Sequence, residues 1–100
     1  MNRLPSRRDS RHYSEREWSK WVACLSPQMR GRVRRKIERL LEHGTSLGMP
    51  LVRQLSGELH ELRIDKYRLY FTVGGDNIWF LAYRDKDSQR RDIKRALGRI

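Results

Sequence analysis

The sequence predicts an α+β domain: an N-terminal helical hairpin, an antiparallel sheet of three to four strands and a C-terminal helix. Three observations carry this. Apolar residues recur at helical spacing between residues 14 and 43, then alternate between 59 and 84, and the last dozen residues return to helical spacing. A length of 100 residues allows one core and no second domain.

Residues 1–13 read as a flexible basic arm, polar and carrying Pro5, ahead of a single domain over 14–100. Ser14 and Glu17 form a capping box that starts the first helix. Trp18, Trp21, Val22 and Leu25 then share one face, and Cys24 between them reads as a small core residue. Ser26-Pro27 ends that stretch and opens a second helix, with Pro27 at its first position. Met29, Val33, Ile37, Leu40 and Leu41 line its apolar face, and Gly44 is its left-handed cap. Residues 44–57, with Gly44, Gly48, Pro50 and Gly57, read as a loop.

Leu59 to Ile64 is the first strand, with His60, Leu62 and Ile64 on one face and Leu59, Glu61 and Arg63 on the other. Asp65-Lys66 turns the chain into a second strand, Tyr67 to Val73. Gly74-Gly75-Asp76-Asn77 is a hairpin signal, and Ile78 to Arg84 is the third strand. Asp87 or Ser88 caps a last helix whose stripe is Ile93, Ala96, Leu97 and Ile100.

A formal net charge of +11 predicts a polyanionic partner: nucleic acid, an acidic protein, or both. The basic residues spread over both halves, so the charge belongs to the domain and not to a tail. Two clusters stand out, Arg30 to Arg39 and Arg84 to Arg99. One Cys excludes an internal disulfide and a Cys-based zinc cluster. No apolar run reaches membrane-span length, and no secretory signal pattern follows the basic N-terminus, so a cytosolic protein with no membrane partner is expected.

His12, His43 and His60 are isolated, and His60 and Glu61 point to opposite faces, so no metal site is expected. Asp85 and Asp87 read as caps of the last helix rather than metal ligands. The sheet carries the stronger signal. A meander brings Arg63, Arg68, Tyr70, Tyr83, Arg84 and Lys86 toward one another. A metal-free ribonuclease needs a base for the 2′-hydroxyl, cations for the phosphorane charge and an acid for the leaving 5′-oxygen. Arginine suits the second task, and a shifted Lys, Tyr or His the others. A plainer reading also fits: Arg63 pairs with Glu61 or Asp65, Arg68 pairs with Glu61 or Glu58, and the tyrosines pack.

Gly48-Met49-Pro50, Leu55, Gly57-Glu58-Leu59-His60-Glu61-Leu62-Arg63, Tyr67-Arg68-Leu69-Tyr70, Leu81-Ala82-Tyr83-Arg84-Asp85-Lys86 and Ala96 form a pattern. It resembles the RelE/ParE superfamily of type II toxin–antitoxin toxins, closest to its HigB-like, phage-associated branch. Two features depart from that family. Its Lys-Lys pair after the third strand is here Arg84-Asp85-Lys86, and its N-terminal strand has only Arg11-His12-Tyr13 to draw on.

The resemblance implies a toxin acting as a ribosome-dependent mRNA endonuclease, held in check by a cognate antitoxin, a small helix-turn-helix protein. It implies no cofactor and no metal. The catalytic set on this reading is Arg63, Arg68, Tyr83, Arg84 and Lys86, with Lys86 as base and Tyr83 as acid or stacking platform. Arg30, Arg34, Arg35, Arg39, Arg90, Arg91 and Lys94 are the expected RNA and ribosome contacts. Two other functions share the fold: a ParE-like DNA gyrase inhibitor, and a nucleic-acid-binding relative without activity.

Overall fold

The computed structural model describes residues 7–48, 50–85 and 89–100. Two serine caps launch the helical hairpin. Ser14 Oγ accepts from the Glu17 amide at the start of α1 (Glu15–Ala23), and Ser26 Oγ accepts from the Met29 amide at the start of α2 (Pro27–His43). Gly44 closes α2 at φ 60°, a conformation that favours glycine. Strands β3 (Leu59–Ile64), β4 (Tyr67–Gly74) and β5 (Asn77–Asp85) form the expected meander. Helix α3 (Gln89–Leu97) follows.

Two strands lie outside the expected set. Residues 9–12, placed in the arm by the sequence reading, form β1 (Asp9–His12), an edge strand parallel to β5. Residues 44–57, expected as a loop, contain a 3₁₀ turn (Gly44–Leu47) and β2 (Val52–Ser56), antiparallel to β3. The sheet is therefore five-stranded and mixed, in the order β1-β5-β4-β3-β2. Both additions are short edge strands with mostly exposed residues, so neither leaves a clear alternation in sequence.

The sheet buries both faces. On one, α1 and α2 cover Leu62, Ile64, Leu69, Phe71, Ile78, Phe80 and Tyr83. On the other, α3 sets Ala96 and Ile93 against Leu59, Tyr70, Leu81 and Ala82. A bulge makes the two faces compatible. Tyr70 pairs with Ala82 and Phe71 with Phe80, which leaves Leu81 as the extra residue. Parity along β5 switches there, so Phe80 and Tyr83 share the α1–α2 face although they are three positions apart.

Cys24, expected in the core, is exposed. It is the C-cap of α1, just past the last helical turn and off the apolar stripe. The expected caps Asp87 and Ser88 lie outside the described residues.

Candidate functional site: an arginine row and its edge cleft

Register sets the row. Arg63 faces Arg68 across β3 and β4, and Arg68 faces Arg84 across β4 and β5. Directly opposed cross-strand Cα atoms lie about 4.5–5.5 Å apart, so three like charges in a row destabilise the sheet unless countered. Two carboxylates counter them. Arg68 Nε donates to Glu61 Oε1 at 2.9 Å, with side chains 7% and 1% exposed. Arg84 Nε donates to Asp92 Oδ1 of α3 at 2.8 Å, and that carboxylate is fully buried.

The arginines differ in what they have left to offer. Arg68 spends Nη1 on the carbonyls of Asp65 and Tyr67, at 2.8 Å each, and clamps the β3–β4 turn from beneath. Asp65 needs that support, since it holds φ 53° without being glycine. Arg84 stays 42% exposed, and its Nε is the one atom engaged among the described residues. Arg63 is half-buried and makes no side-chain ion pair among the described residues. Tyr70 sits beside this group with its hydroxyl buried. Burial first, then the charges of Glu61 and Asp92, push its phenol up and keep it protonated.

Tyr83 does not join the row. Its ring packs on the other face, stacked with Trp21 and tilted against Trp18, and its hydroxyl is hydrogen-bonded to His12 Nδ1. Tyr83 and Arg84 nevertheless meet at one place. Strand β1 pairs with β5 over Asn77–Phe80, so among the described residues the edge of β5 beyond Phe80 has no strand neighbour. A cleft of about 360 Å³ opens there between α1 and α3, lined by Glu17, Lys20, Trp21, Cys24, Tyr83, Arg84 and Arg95. Glu17 is already committed: Arg99 grips both its oxygens, at 3.1 and 2.8 Å. That hydrogen bonding is the main reason its carboxyl lies below the usual range. The cleft thus offers Lys20, Arg84 and Arg95 to an anion, beside a phenol that burial and the Glu15 and Glu17 charges keep protonated.

His12 stacks on Trp18 with ring centroids 4.4 Å apart. Burial lowers its pKa, against a smaller raising effect of Glu15. The unfolded chain therefore takes up a proton near the ordinary value of about 6.5 that folded His12 refuses. Its stabilising contribution is full above that value and is lost as pH falls through the lower folded value. His12→Phe keeps the stacking and removes the titration, so its melting temperature should vary less with pH across this window than the wild type's. Equal slopes would show that His12 does not carry the effect.

The expected RNA contacts divide between surfaces. Arg30 caps the end of α1, donating to the carbonyls of Val22 and Ala23. With Arg34 it also rims a groove of about 580 Å³ whose floor includes Val22, Leu25, Val33, Ile37 and Leu41. Arg35 and Arg39 lie on another flank of α2, around a concavity with Arg32 and Lys36. Arg91 and Lys94 are exposed on α3. Lys86 and the side chain of Arg90 lie outside the described residues. Sequence reasoning missed Asp92, although a signal was there: it is the one acid in the α3 segment and shares the stripe of Ala96 at i+4. Among the described residues no group of three or more His, Cys, Asp or Glu could hold a metal. No helix among them is long and apolar enough to cross a membrane.

Solved structures resemble this one, three of them as follows. The archaeal RelE–RelB complex of Pyrococcus horikoshii OT3 matches with a TM-score of 0.69 at 16% identity, over 82% of this chain and 98% of that one. The RelB–RelE antitoxin–toxin complex of Methanococcus jannaschii gives 0.60 at 19%, over 81% and 95%. A double arginine-to-alanine mutant of the E. coli toxin RelE in the free state gives 0.62 at 20%, over 95% and 99%. The fold is thus that of RelE, as the sequence motifs imply. No curated protein matches the chain significantly. The family model described as "Phage derived protein Gp49-like (DUF891)" matches residues 20–99, and the chain belongs to that family, on a RelE-like fold.

Proposed function

We propose that the chain is the toxin of a toxin–antitoxin pair, a metal-independent endonuclease that cuts translated mRNA on the ribosome in the cytoplasm. The carrying observation is the half-exposed guanidinium of Arg84. Asp92 holds its Nε, the in-register Arg68 and Arg63 stand behind it, and it borders the cationic cleft at the open edge of β5. The RelE-like fold and the family support the toxin reading, and the two archaeal neighbours are complexes of a RelE with a RelB. On this reading the partner is an antitoxin, a small helix-turn-helix protein, whose acidic surface masks part of the +11 charge.

The 2′-oxygen of the scissile nucleotide attacks phosphorus in line and loses its proton to a base. The P–O5′ bond breaks, and the 5′-oxygen takes a proton from an acid. The products are a 2′,3′-cyclic phosphate and a 5′-hydroxyl. The guanidinium of Arg84, with Lys20 and Arg95 on the same cleft and Arg63 further along the row, stabilises the charge that develops on the phosphorane. Tyr83 remains the assigned acid or stacking platform: it keeps its proton at neutral pH and borders the cleft, although its hydroxyl is hydrogen-bonded to His12 and its ring packs on Trp18 and Trp21. Arg68 acts from beneath, fixing the turn and the row. Lys86 remains the assigned base.

Product chemistry tests this reading. Replacing the scissile nucleotide of a ribosome-bound mRNA by its 2′-deoxy form should stop cleavage at that site, and the 5′ fragment from the ribose substrate should end in a cyclic phosphate. A 3′-hydroxyl end, or undiminished cutting of the 2′-deoxy site, would overturn it.

A further inference from the structure

Apolar contact with the sheet runs out at the end of α3. Ile93 and Ala96 pack against it, but Leu97 and Ile100 are exposed. Arg99, two residues past the helix, takes over with a side chain that is 18% exposed. Its Nη1 donates to the Leu81 carbonyl at 2.7 Å and to Glu17 Oε1 at 3.1 Å. Its Nη2 donates to Glu17 Oε2 at 2.8 Å, and its Cζ lies 4.6 Å from the centre of the Tyr13 ring. One guanidinium thus ties the end of α3 to α1, to β5 and to the residue that follows β1.

Each acceptor has a local reason to need it. Leu81 is buried and is the extra residue of the β5 bulge, without a register partner on β4. A buried carbonyl needs a donor. The Tyr13 amide serves the Phe80 carbonyl at 2.8 Å, and Arg99 serves the next one. Glu17 stands where a glutamate ordinarily reaches back to close the capping box, and here both its oxygens take Arg99. A planar fork with a face that packs on tyrosine meets all three partners at once, which a lysine ammonium does not.

The grip on Glu17 also decides what Arg95 is free to do. Arg95 Nη1 stands 3.9 Å from Glu17 Oε1, at the outer limit of an ion pair, and Arg95 lines the cleft. With Arg99 in place, Glu17 is occupied and Arg95 is left to the cleft. Without it, the cleft wall carries a released carboxylate with Arg95 beside it. The same fastening steadies the helix that delivers Asp92 to Arg84. Arg99 itself does not line the cleft.

We propose that Arg99 is a positioning residue for cleavage: it fastens α3 to α1 and to the β5 bulge, and so holds the Arg84–Asp92 pair and Arg95 in place across the cleft from Lys20. This rests on the nuclease reading of the cleft. Arg99 touches no substrate. It acts through geometry, so its loss is read in the rate of cleavage and in the motion of α3.

Hydrogen exchange and single-turnover cleavage on translating ribosomes test this with the full chain. In Arg99→Ala the α3 amides should exchange about tenfold faster while β3 and β4 keep wild-type protection, the pattern of local and not global opening. The maximal cleavage rate should fall about 10–10²-fold, the scale of a small displacement at the reacting groups. The half-saturating ribosome concentration should stay unchanged. Arg99→Lys keeps the charge without the fork and should recover only part of both effects. It carries the same comparison should the alanine variant fail to fold. Glu17→Gln with Arg99→Ala removes the released carboxylate as well and should remain as slow as Arg99→Ala. Full recovery in that pair would overturn the positioning role and lay the loss on charge. Wild-type exchange in α3 would overturn the clamp. A loosened α3 with a wild-type rate would overturn its role in cleavage, and so would a raised half-saturating concentration at unchanged rate. A wild-type chain that cleaves nothing would remove the nuclease reading and the positioning role together, a failure distinct from the others because the wild type cleaves in each of them.

Discussion

Arg68→Ala is expected to destabilise the chain by about 3–5 kcal/mol, the usual cost of removing one partner of a buried ion pair. The pair is nearly inaccessible to water, so screening offers no discount. The loss leaves the Glu61 carboxylate buried without the guanidinium that faces it, and takes the donors from the carbonyls of Asp65 and Tyr67. In a domain of this size each kcal/mol moves the melting temperature by about 4–8 °C, so the variant should melt far below the wild type. Replacing both partners with apolar residues, Glu61→Leu with Arg68→Met, should restore much of the loss, because the buried carboxylate then leaves together with the guanidinium that faces it. Thermal and urea unfolding decide this. An Arg68→Ala chain that melts with the wild type yet cleaves nothing would move Arg68 from the supporting layer to the reacting groups.

Arg84→Ala is expected to behave in the opposite way. Its guanidinium is half-exposed and, among the described residues, held through Nε, so the stability cost should be far smaller than at Arg68. Cleavage should fall about 10²–10³-fold, the typical effect of losing one positioned donor to a developing charge. In cells, wild-type expression without the antitoxin should arrest growth, and Arg84→Ala should restore it at equal soluble protein. Arg84→Lys keeps the charge but loses the fork and should recover only part of the rate. Asp92→Asn separates placement from presence: it leaves Arg84 in the chain, reduces the grip on its Nε from an ion pair to a neutral hydrogen bond, and should lower the cleavage rate at unchanged substrate affinity. Full activity in Arg84→Ala would remove the row from the mechanism.

The meander, the helical hairpin and their caps were legible because each rests on local chemistry. Ser14, Ser26, Pro27 and Gly44 act within four residues of themselves, and the alternation of Leu59 to Ile64 follows from strand geometry. Strands β1 and β2 were not legible. Each depends on pairing with a remote segment, and an exposed edge needs no alternating pattern. The bulge at Leu81 was equally silent, since it is a property of the β4–β5 pairing and not of β5 alone. Alternation alone sends Tyr83 and Arg84 to opposite faces, and that one extra residue decides which of the two takes which face.

The row itself could be anticipated from strand parity, as Arg63 shares a face with Glu61 and Arg68 with Tyr70. Its division of labour could not. Arg68 is buried and Arg84 open because α3 lies across the sheet and delivers Asp92, a long-range fact that periodicity does not encode.

Primer extension on an mRNA carried by purified, translating ribosomes tests the central claim most directly. The wild-type chain should produce cuts within the translated region that depend on the ribosome, and Arg84→Ala should leave the message intact under the same conditions. An uncut message beside a plasmid that loses its supercoiling in the same cells would contradict the account and place the target at DNA gyrase.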